Sequence, residues 1–296
     1  MNSLAIIILN YNSTDKIVNQ VSKLIGEGID TSSFYIVDND STPDHQTKLK
    51  EYTTNKQLNF IQSGENSGYA KGNRLAIEKA IHDNKHYFLI LNPDIEISNE
   101  VVENLYNIIK RNENLFFVGP RICDKYDREF IFSDGGKVDV DNFFEASHTN
   151  GGKKINEVEI PEFNTAIDYV NGSAIMFKKE TLDLIGLMRD DFFMYFEETE
   201  WCYRLKNIPN AKQAIITTQI AYHEMSKQDT FQNFYMTRNR IFLCRLYKLP
   251  HKKLISKFLY EAQKKLFSTK GNFTTNFLNF ISQIKAVFEG EFKKLI

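Results

Sequence analysis

Leu4-Ala5-Ile6-Ile7-Ile8-Leu9, followed at once by Asn10-Tyr11-Asn12-Ser13-Thr14, decides how this chain folds. Six apolar residues in a row, bounded by polar turn formers, have the length and character of a strand buried on both faces. Working outward, Phe34–Val37 ends at Asp38-Asn39-Asp40, a weaker run holds Phe60-Ile61, and Tyr87–Leu91 ends at Asn92-Pro93-Asp94. Helix-period segments fill the gaps at roughly 15–25, 43–53 and 70–82. Strands alternating with helices predict an α/β fold with a mostly parallel sheet covered on both faces. Ligands of such sheets bind outside the carboxyl ends of the strands. Here every one of those ends is polar, including Ser63-Gly64-Glu65-Asn66. Turn chemistry alone selects Asn, Asp and Gly at such places, but four polar ends along one edge describe a crevice.

Beyond a helix at about 98–111 the pattern is less regular, with Gly135-Gly136 and Gly151-Gly152 in a loop-rich region. Tyr169–Phe177 reads as a strand interrupted at Asn171-Gly172, where glycine implies close approach of a ligand or another backbone. Cys123, Cys202 and Cys244 are odd in number and far apart, which excludes a disulfide framework or a zinc site and fits a reducing compartment. The N-terminus lacks a basic leader and no stretch is long enough to span a bilayer, so a cytoplasmic protein is expected. Net charge is −1, but eleven Lys/Arg against three Glu from Arg245 onward give that end +8 and leave −9 on the first 244 residues.

Several groups carry possible chemistry. Asn66-Ser67-Gly68-Tyr69-Ala70-Lys71-Gly72-Asn73 opens the 70–82 helix, where glycines let backbone N–H groups approach an anion and Lys71 adds charge. An ordinary helix-entry loop has the same composition. Asp94, fixed behind Pro93, suits a hard divalent cation shared with substrate phosphates, or is a turn aspartate. Asp38 could accept from a ribose or base, or cap a turn. His223 could ligate a metal or be structural. Arg238 and Arg240 lie in an apolar helical stretch and need anionic partners if buried, a diphosphate among them. Phe193-Met194-Tyr195-Phe196 runs directly into Glu197, Glu198 and Glu200. That arrangement either aims acids into a cleft or puts them on the first turn of a surface helix.

Taken in order from about residue 4 to 243, these segments resemble the family-2 glycosyltransferases of GT-A fold, in particular a bacterial rhamnosyltransferase-like branch. The shared motifs are Ile7–Ser13, Val37–Ser41, Asn66–Asn73, Leu91–Asp94, Val170–Ala174, Phe193–Glu200, His223 and Arg238-Asn239. The resemblance implies a mostly parallel, Rossmann-like sheet flanked by helices. Residues 1–95 would form a nucleotide-sugar-binding half and 96–243 an acceptor-binding, catalytic half, with a basic helical extension over 244–296. Asn10, Tyr11, Asn12 and Asp38 would hold the nucleoside, and Asn66, Gly68, Lys71 and Asn73 would line the donor path, with Asn92 and Gly172 beside it. Asp94 stands where the family's metal-binding D-x-D ends, Asn92 replacing its first acid, so that Mg²⁺ or Mn²⁺ would be held with His223 as a further ligand. Glu198 falls on the second acid of the family's Glu-Asp motif and would be the catalytic base, with Glu197 and Glu200 in support and Arg238 and Arg240 assisting the diphosphate.

The activity so implied is inverting transfer of a sugar, rhamnose from dTDP-rhamnose first, to a hydroxyl of a glycan or lipid-linked acceptor in surface polysaccharide synthesis. A UDP-sugar such as UDP-galactose is the alternative donor. A sugar-nucleotidyltransferase would show a glycine-rich, basic loop after the first strand, which Asn10–Thr14 lacks, and a non-catalytic sugar-binding protein has no need of both Asp94 and Glu198. The basic extension, interleaved with aromatics, fits contact with the inner face of a membrane, a homodimer interface or packing on the core. Nucleic acid is not expected as a partner.

Overall fold

The computed structural model describes residues 1–159, 161–224, 229–267 and 273–295. Two compact units are present: Met1–Lys137, Ser147–Arg189 and Glu198–Met225 form the larger, and Val138–Ala146, Asp190–Glu197 and Ser226–Ile296 the smaller.

The larger unit is built on one sheet. The apolar run becomes β1 (Leu4–Asn10), with parallel β2 (Phe34–Asp38) on one side and parallel β4 (Tyr87–Leu91) on the other; β3 (Asn59–Gln62) lies beyond β2. The chain thus reverses its direction of travel across the sheet at β1, the kind of point outside whose strand ends α/β sheets bind ligands. Helices α1 (Thr14–Gly26), α2 (Pro43–Asn55) and α3 (Gly68–His82) make the crossovers, and α4 (Asn99–Arg111) follows the short β5 (Ile95–Glu96). Each helix forms where apolar residues recur every three or four positions: Ile17, Val21 and Leu24 of α1 and Val102, Leu105 and Ile109 of α4 are buried in the core. Ser98 caps α4 by accepting from the Val101 amide at 3.3 Å.

The irregular region contains the second half of the sheet. β6 (Leu115–Asp124) is a ten-residue strand paired with β11 (Ala174–Lys178) and with β12 (Lys212–His223), while β7 (Ile131–Ser133) and β10 (Phe163–Asn164) extend it. β8 (Gly136–Asp139) and β9 (Glu145–His148) form a separate two-stranded ribbon. The region beyond 111, expected to be less regular and loop-rich, holds β6, with Gly119-Pro120 in its middle. The sheet accommodates the pair: Pro120 faces Ile216 next to an irregularity in β12, and a methyl on Gly119 would lie 2.5 Å from Val170 Cγ1. The expected strand over 169–177 starts only at Ala174. The short helix α5 (Lys179–Ile185) follows it, and α6 (Glu197–Leu205) begins at the three acids. The expected division at 95/96 falls within this one sheet.

The smaller unit groups α7 (Thr230–Leu246), α8 (Lys252–Leu266) and α9 (Phe273–Phe292) around Ile241, Cys244, Leu254, Phe258 and Val287. Gly290 lets α9 approach α7: a methyl there would meet Ile241 Cβ at 2.9 Å. The helical extension therefore begins with α7 rather than at 244, and residues 268–272 of it lie outside the described residues. All three cysteines are free and buried.

Gly119→Ala should destabilise the larger unit by about 1–3 kcal/mol, the cost of overpacking a filled core. A fall in the urea midpoint at unchanged m-value would show it; an unchanged midpoint would mean that Val170 moves aside freely.

Candidate active site

Asn10 and Asp38 are register partners at the ends of β1 and β2, and both are completely buried. Asn10 Nδ2 donates to Asp38 Oδ2 at 2.8 Å and to Ser41 Oγ at 3.0 Å, and its Oδ1 accepts from the Ser13 amide at 2.9 Å. Asp38 Oδ1 accepts from the Ser41 amide and from Gln62 Nε2, both at 3.0 Å. A carboxylate with this many donors and no exposed surface is committed to the protein. Asp38 and Asn10 tie the loops together through these hydrogen bonds, where the sequence suggested contacts to a nucleoside. What they hold up is accessible: Tyr11 is 51% exposed, and Asn12, at φ 55°, braces Thr42 by accepting from its amide at 2.8 Å. Asn39, unflagged by sequence reading, links the next loop, its Nδ2 donating to Asn66 Oδ1 at 2.9 Å and its Oδ1 accepting from the Ser67 amide at 3.3 Å.

The entry to α3 differs from the expectation too. Gly68 is a genuine backbone requirement at φ 85°, but Asn66 Oδ1 already accepts from its amide at 3.3 Å. Gly72 is small for packing, since a methyl there would lie 2.6 Å from Leu9 Cδ1. Lys71 pairs with Glu65 on the surface at 2.5 Å. Asn73 is fully buried and donates to the Tyr69 carbonyl at 2.9 Å.

After β4 the chain turns through Asn92-Pro93-Asp94. Gln20, on the buried face of α1, donates to the carbonyls of Asn92 and Ile95 at 2.9 and 2.6 Å, and the Asn92 amide donates to Ser173 O at 2.8 Å. Antiparallel pairing of Ile95 with His223 brings Asp94 opposite the imidazole, with Asp94 Oδ1 3.5 Å from His223 Nε2. Burial works to raise the Asp94 carboxyl, but the His223 imidazole, with help from Lys16, brings it below its usual range. Asp94 Oδ1 is buried and, among the described residues, has no hydrogen-bond partner. A buried carboxylate oxygen and a ring nitrogen at this separation fit two ligands of one divalent cation. Among the described residues no cluster of three or more His, Cys, Asp or Glu could hold a metal, so water and substrate oxygens would complete the shell. The Phe132 ring lies against His223, with centroids 5.1 Å apart.

Glu198 is positioned by an absence. The glycine that interrupts the 169–177 segment makes room for the acid itself: a methyl on Gly172 would sit 3.0 Å from Glu198 Cγ and 3.4 Å from Cδ. The close approach found there is that of the Glu198 side chain. Tyr69, missed from sequence, fixes this loop from α3 by donating to the Gly172 carbonyl at 2.6 Å. Glu198 is partly exposed, and burial raises its carboxyl above the ordinary range even though Thr199 Oγ1 donates to it at 3.1 Å. Glu200, two residues on, is buried and pairs with Arg204 at 3.2 Å. Arg204 in turn donates to the Ile185 and Leu187 carbonyls. Glu200 is therefore structural.

Glu197 and the two arginines belong to the smaller unit. Arg238 donates to the carbonyls of Asp191 (3.3 Å) and Phe192 and faces Glu289 at 3.7 Å; Arg240 donates to those of Phe143 (2.8 Å) and Asn142. The acceptors these buried guanidinium groups need are backbone carbonyls, where the sequence suggested a diphosphate. Asn239 Nδ2 joins them, donating to the Phe192, Met194 and Tyr195 carbonyls at 3.0, 2.7 and 2.7 Å. Phe193, Tyr195 and Phe196 all have φ between 63° and 73°, a conformation that costs a non-glycine residue roughly 1–2 kcal/mol. The run into the acids is a strained loop held by one asparagine and one arginine, and Glu197 at its end is buried.

Solved glycosyltransferase structures share this architecture. GalNAc-T7 with UDP, GalNAc and Mn²⁺ superposes at a TM-score of 0.64 and 13% identity, covering 98% of this chain and 58% of that one. The mannosyltransferase PcManGT of Pyrobaculum calidifontis, with GDP-Man and Mn²⁺, gives 0.57 and 12%, covering 99% and 76%. The fold is GT-A, with a C-terminal helical region. Residues 5–179 match the Glycosyl transferase family 2 profile, and the chain belongs to that family. Among its relatives, the low-salt glycan biosynthesis hexosyltransferase Agl10 of Haloferax volcanii is 30% identical over 208 residues, 70% of this chain; the aligned region spans 62% of that protein's length. The dTDP-rhamnosyl transferase RfbF of Shigella flexneri is 22% identical over 255 residues, 82% of this chain and 80% of that one.

Asp38→Ala strands the Asn10 amide, the Ser41 N–H and Gln62, and should lower stability by about 1–3 kcal/mol, read by denaturant unfolding. If Asp38 instead waits unpaired for a nucleoside, the variant will keep full stability and lose only nucleotide binding.

Proposed function

We propose that this protein is an inverting glycosyltransferase that moves a hexose from a nucleoside diphosphate sugar to an acceptor hydroxyl. The observation that carries the reading is the seat of Glu198: a partly exposed carboxylate with a raised proton affinity, pressed against Gly172 in the loop that Ser173 joins to the Asn92–Asp94 turn. A base needs access, a fixed position and appreciable basicity, and Glu198 has all three, whereas Glu200 is buried in an ion pair.

The chemistry follows. The Glu198 carboxylate takes the proton of an acceptor hydroxyl while the oxygen attacks the anomeric carbon from the face opposite the leaving group. The bond to the donor phosphate breaks with its electron pair leaving on the nucleoside diphosphate, so configuration inverts. Mg²⁺ or Mn²⁺, held by Asp94 and His223, would neutralise charge on that diphosphate. Tyr11 and Asn12, propped by the Asn10–Asp38 network, offer a face for the nucleoside, and Asn66 and Asn92 border the donor path. For the donor itself, dTDP-rhamnose is the first choice on the strength of the Shigella relative, and a UDP-sugar the second. The acceptor is a glycan or lipid-linked glycan. Saturation-transfer NMR across a panel of nucleotide sugars decides the donor; a chain that binds none of them is not this enzyme.

Glu198→Gln keeps the shape and removes the basicity. Turnover should fall at least ~10²-fold with donor affinity within a few-fold, and near-normal turnover would move the role elsewhere. Because only the ionised form is a base and burial has raised its proton affinity, activity should be full at high pH. It should disappear as pH falls through a value above the ordinary carboxylate range. A pH–kcat profile whose acid limb sits at an unperturbed carboxylate value would contradict this.

EDTA should suppress transfer and Mn²⁺ or Mg²⁺ restore it. Asp94→Ala should weaken nucleoside diphosphate binding, by calorimetry, mainly when metal is present. Activity that survives EDTA would make the site metal-independent, leaving Asp94 and His223 as a structural pair.

A further inference from the structure

The last helix is apolar on both sides. Towards its own unit α9 presents Ala286, Val287 and Gly290, which are buried against its neighbours. Towards solvent it presents Phe277, Leu278, Ile281, Ile284, Phe288 and Phe292, between 36% and 68% exposed. Leaving Leu278 alongside, their spacing of four, three, four and four residues places them in one stripe about 22 Å long. One apolar face of α9 is covered by its own unit, and the second is a contiguous exposed strip of the kind that marks an interaction surface.

Charge says what covers it. Lys285 lies at the edge of the stripe, and Lys293 and Lys294 follow its end. On α8, Lys252, Lys253, Lys257, Lys264 and Lys265 are exposed, and among the described residues none of these eight lysines is in an ion pair. The acids of this region are largely engaged inside the unit, Glu289 with Arg238 and Glu291 with His251 at 2.8 Å. A second copy of the chain docking here would bring two +8 segments together, which repulsion opposes. An anionic surface satisfies both the lysines and the apolar strip. No helix among the described residues is long and apolar enough to cross a membrane, and α9 carries Lys285, Glu289 and Glu291, so it would lie in the plane of the headgroups with its stripe turned to the acyl chains. From this exposed face and its free lysines we infer that α9 docks the protein on an anionic lipid bilayer.

The inference is independent of the reaction and is tested without it. The full chain is mixed with vesicles of phosphatidylcholine alone and with vesicles containing 30 mol% phosphatidylglycerol, and sedimented at low and high salt. Binding should be at least roughly tenfold tighter to the anionic vesicles and should weaken as salt rises. The double variant Ile281→Glu/Phe288→Glu should lose it while keeping the wild-type melting transition. The variant Lys264→Glu/Lys265→Glu should weaken it without changing the fold, guarding against a misfolded apolar variant. Sedimentation equilibrium supplies the counter-outcome: a wild-type dimer that Phe288→Glu converts to monomer, with no vesicle binding, assigns the face to a second copy and overturns the proposal. So does a monomer that ignores both kinds of vesicle.

Discussion

One hydrogen bond organises the crevice, that from Asn10 to Asp38 across the ends of two parallel strands. Both residues are out of water, so each polar atom must find a partner, and the partners available are the loops themselves: Ser13, Ser41 and Gln62. Burial therefore dictates loop shape. With the ends of β1 and β2 locked, Tyr11 and Asn12 project on a fixed floor beside the point where the strand order reverses. The same logic extends outward through Asn39 to the start of α3 and through Gln20 to the turn at Asp94.

Three acids within four residues have three different fates, and packing decides which. Glu200 is buried and neutralised by Arg204 one turn later, an arginine whose remaining donors secure two carbonyls before α6. Glu197 closes the strained loop. Only Glu198 meets empty space, because residue 172 has no side chain, and it alone retains a surface. The energetic asymmetry is clear: a buried acid needs a partner or a proton, whereas a half-buried one is left basic.

Much of this was legible in the sequence. Continuous apolar runs and the amphipathic segments between them placed β1 to β4 and α1 to α4. The failures have common physics. β6 carries Gly119-Pro120, a turn signal wherever a bulged partner strand and a tightly packed neighbour do not rescue it. Arg238 and Arg240 were directed to a phosphate because a guanidinium group asks only for acceptors, and a folded loop of carbonyls answers as well as an anion. Asp38 showed its acidity in the sequence but not its burial. Tyr69 and Asn39 act through contacts 103 and 27–29 residues away, beyond any local pattern. Gln20 did leave a trace: a polar residue among Ile17, Val21 and Leu24 on the buried face of a helix announces a buried hydrogen bond.

The strained loop before Glu197 has an evolutionary corollary. Phe193, Tyr195 and Phe196 occupy backbone conformations that glycine adopts without cost, and Asn239 compensates with three hydrogen bonds from a single amide. The positions are therefore not free to drift separately. A lineage that replaces Asn239 first must cross a valley of reduced stability unless glycine has already entered at 193, 195 or 196. A lineage that gains the glycines first loosens its hold on the asparagine. The order of substitutions is constrained even though Asn239 lies 44 to 47 residues further along the chain than the carbonyls it holds, so the aromatic run and its distant amide form one structural unit.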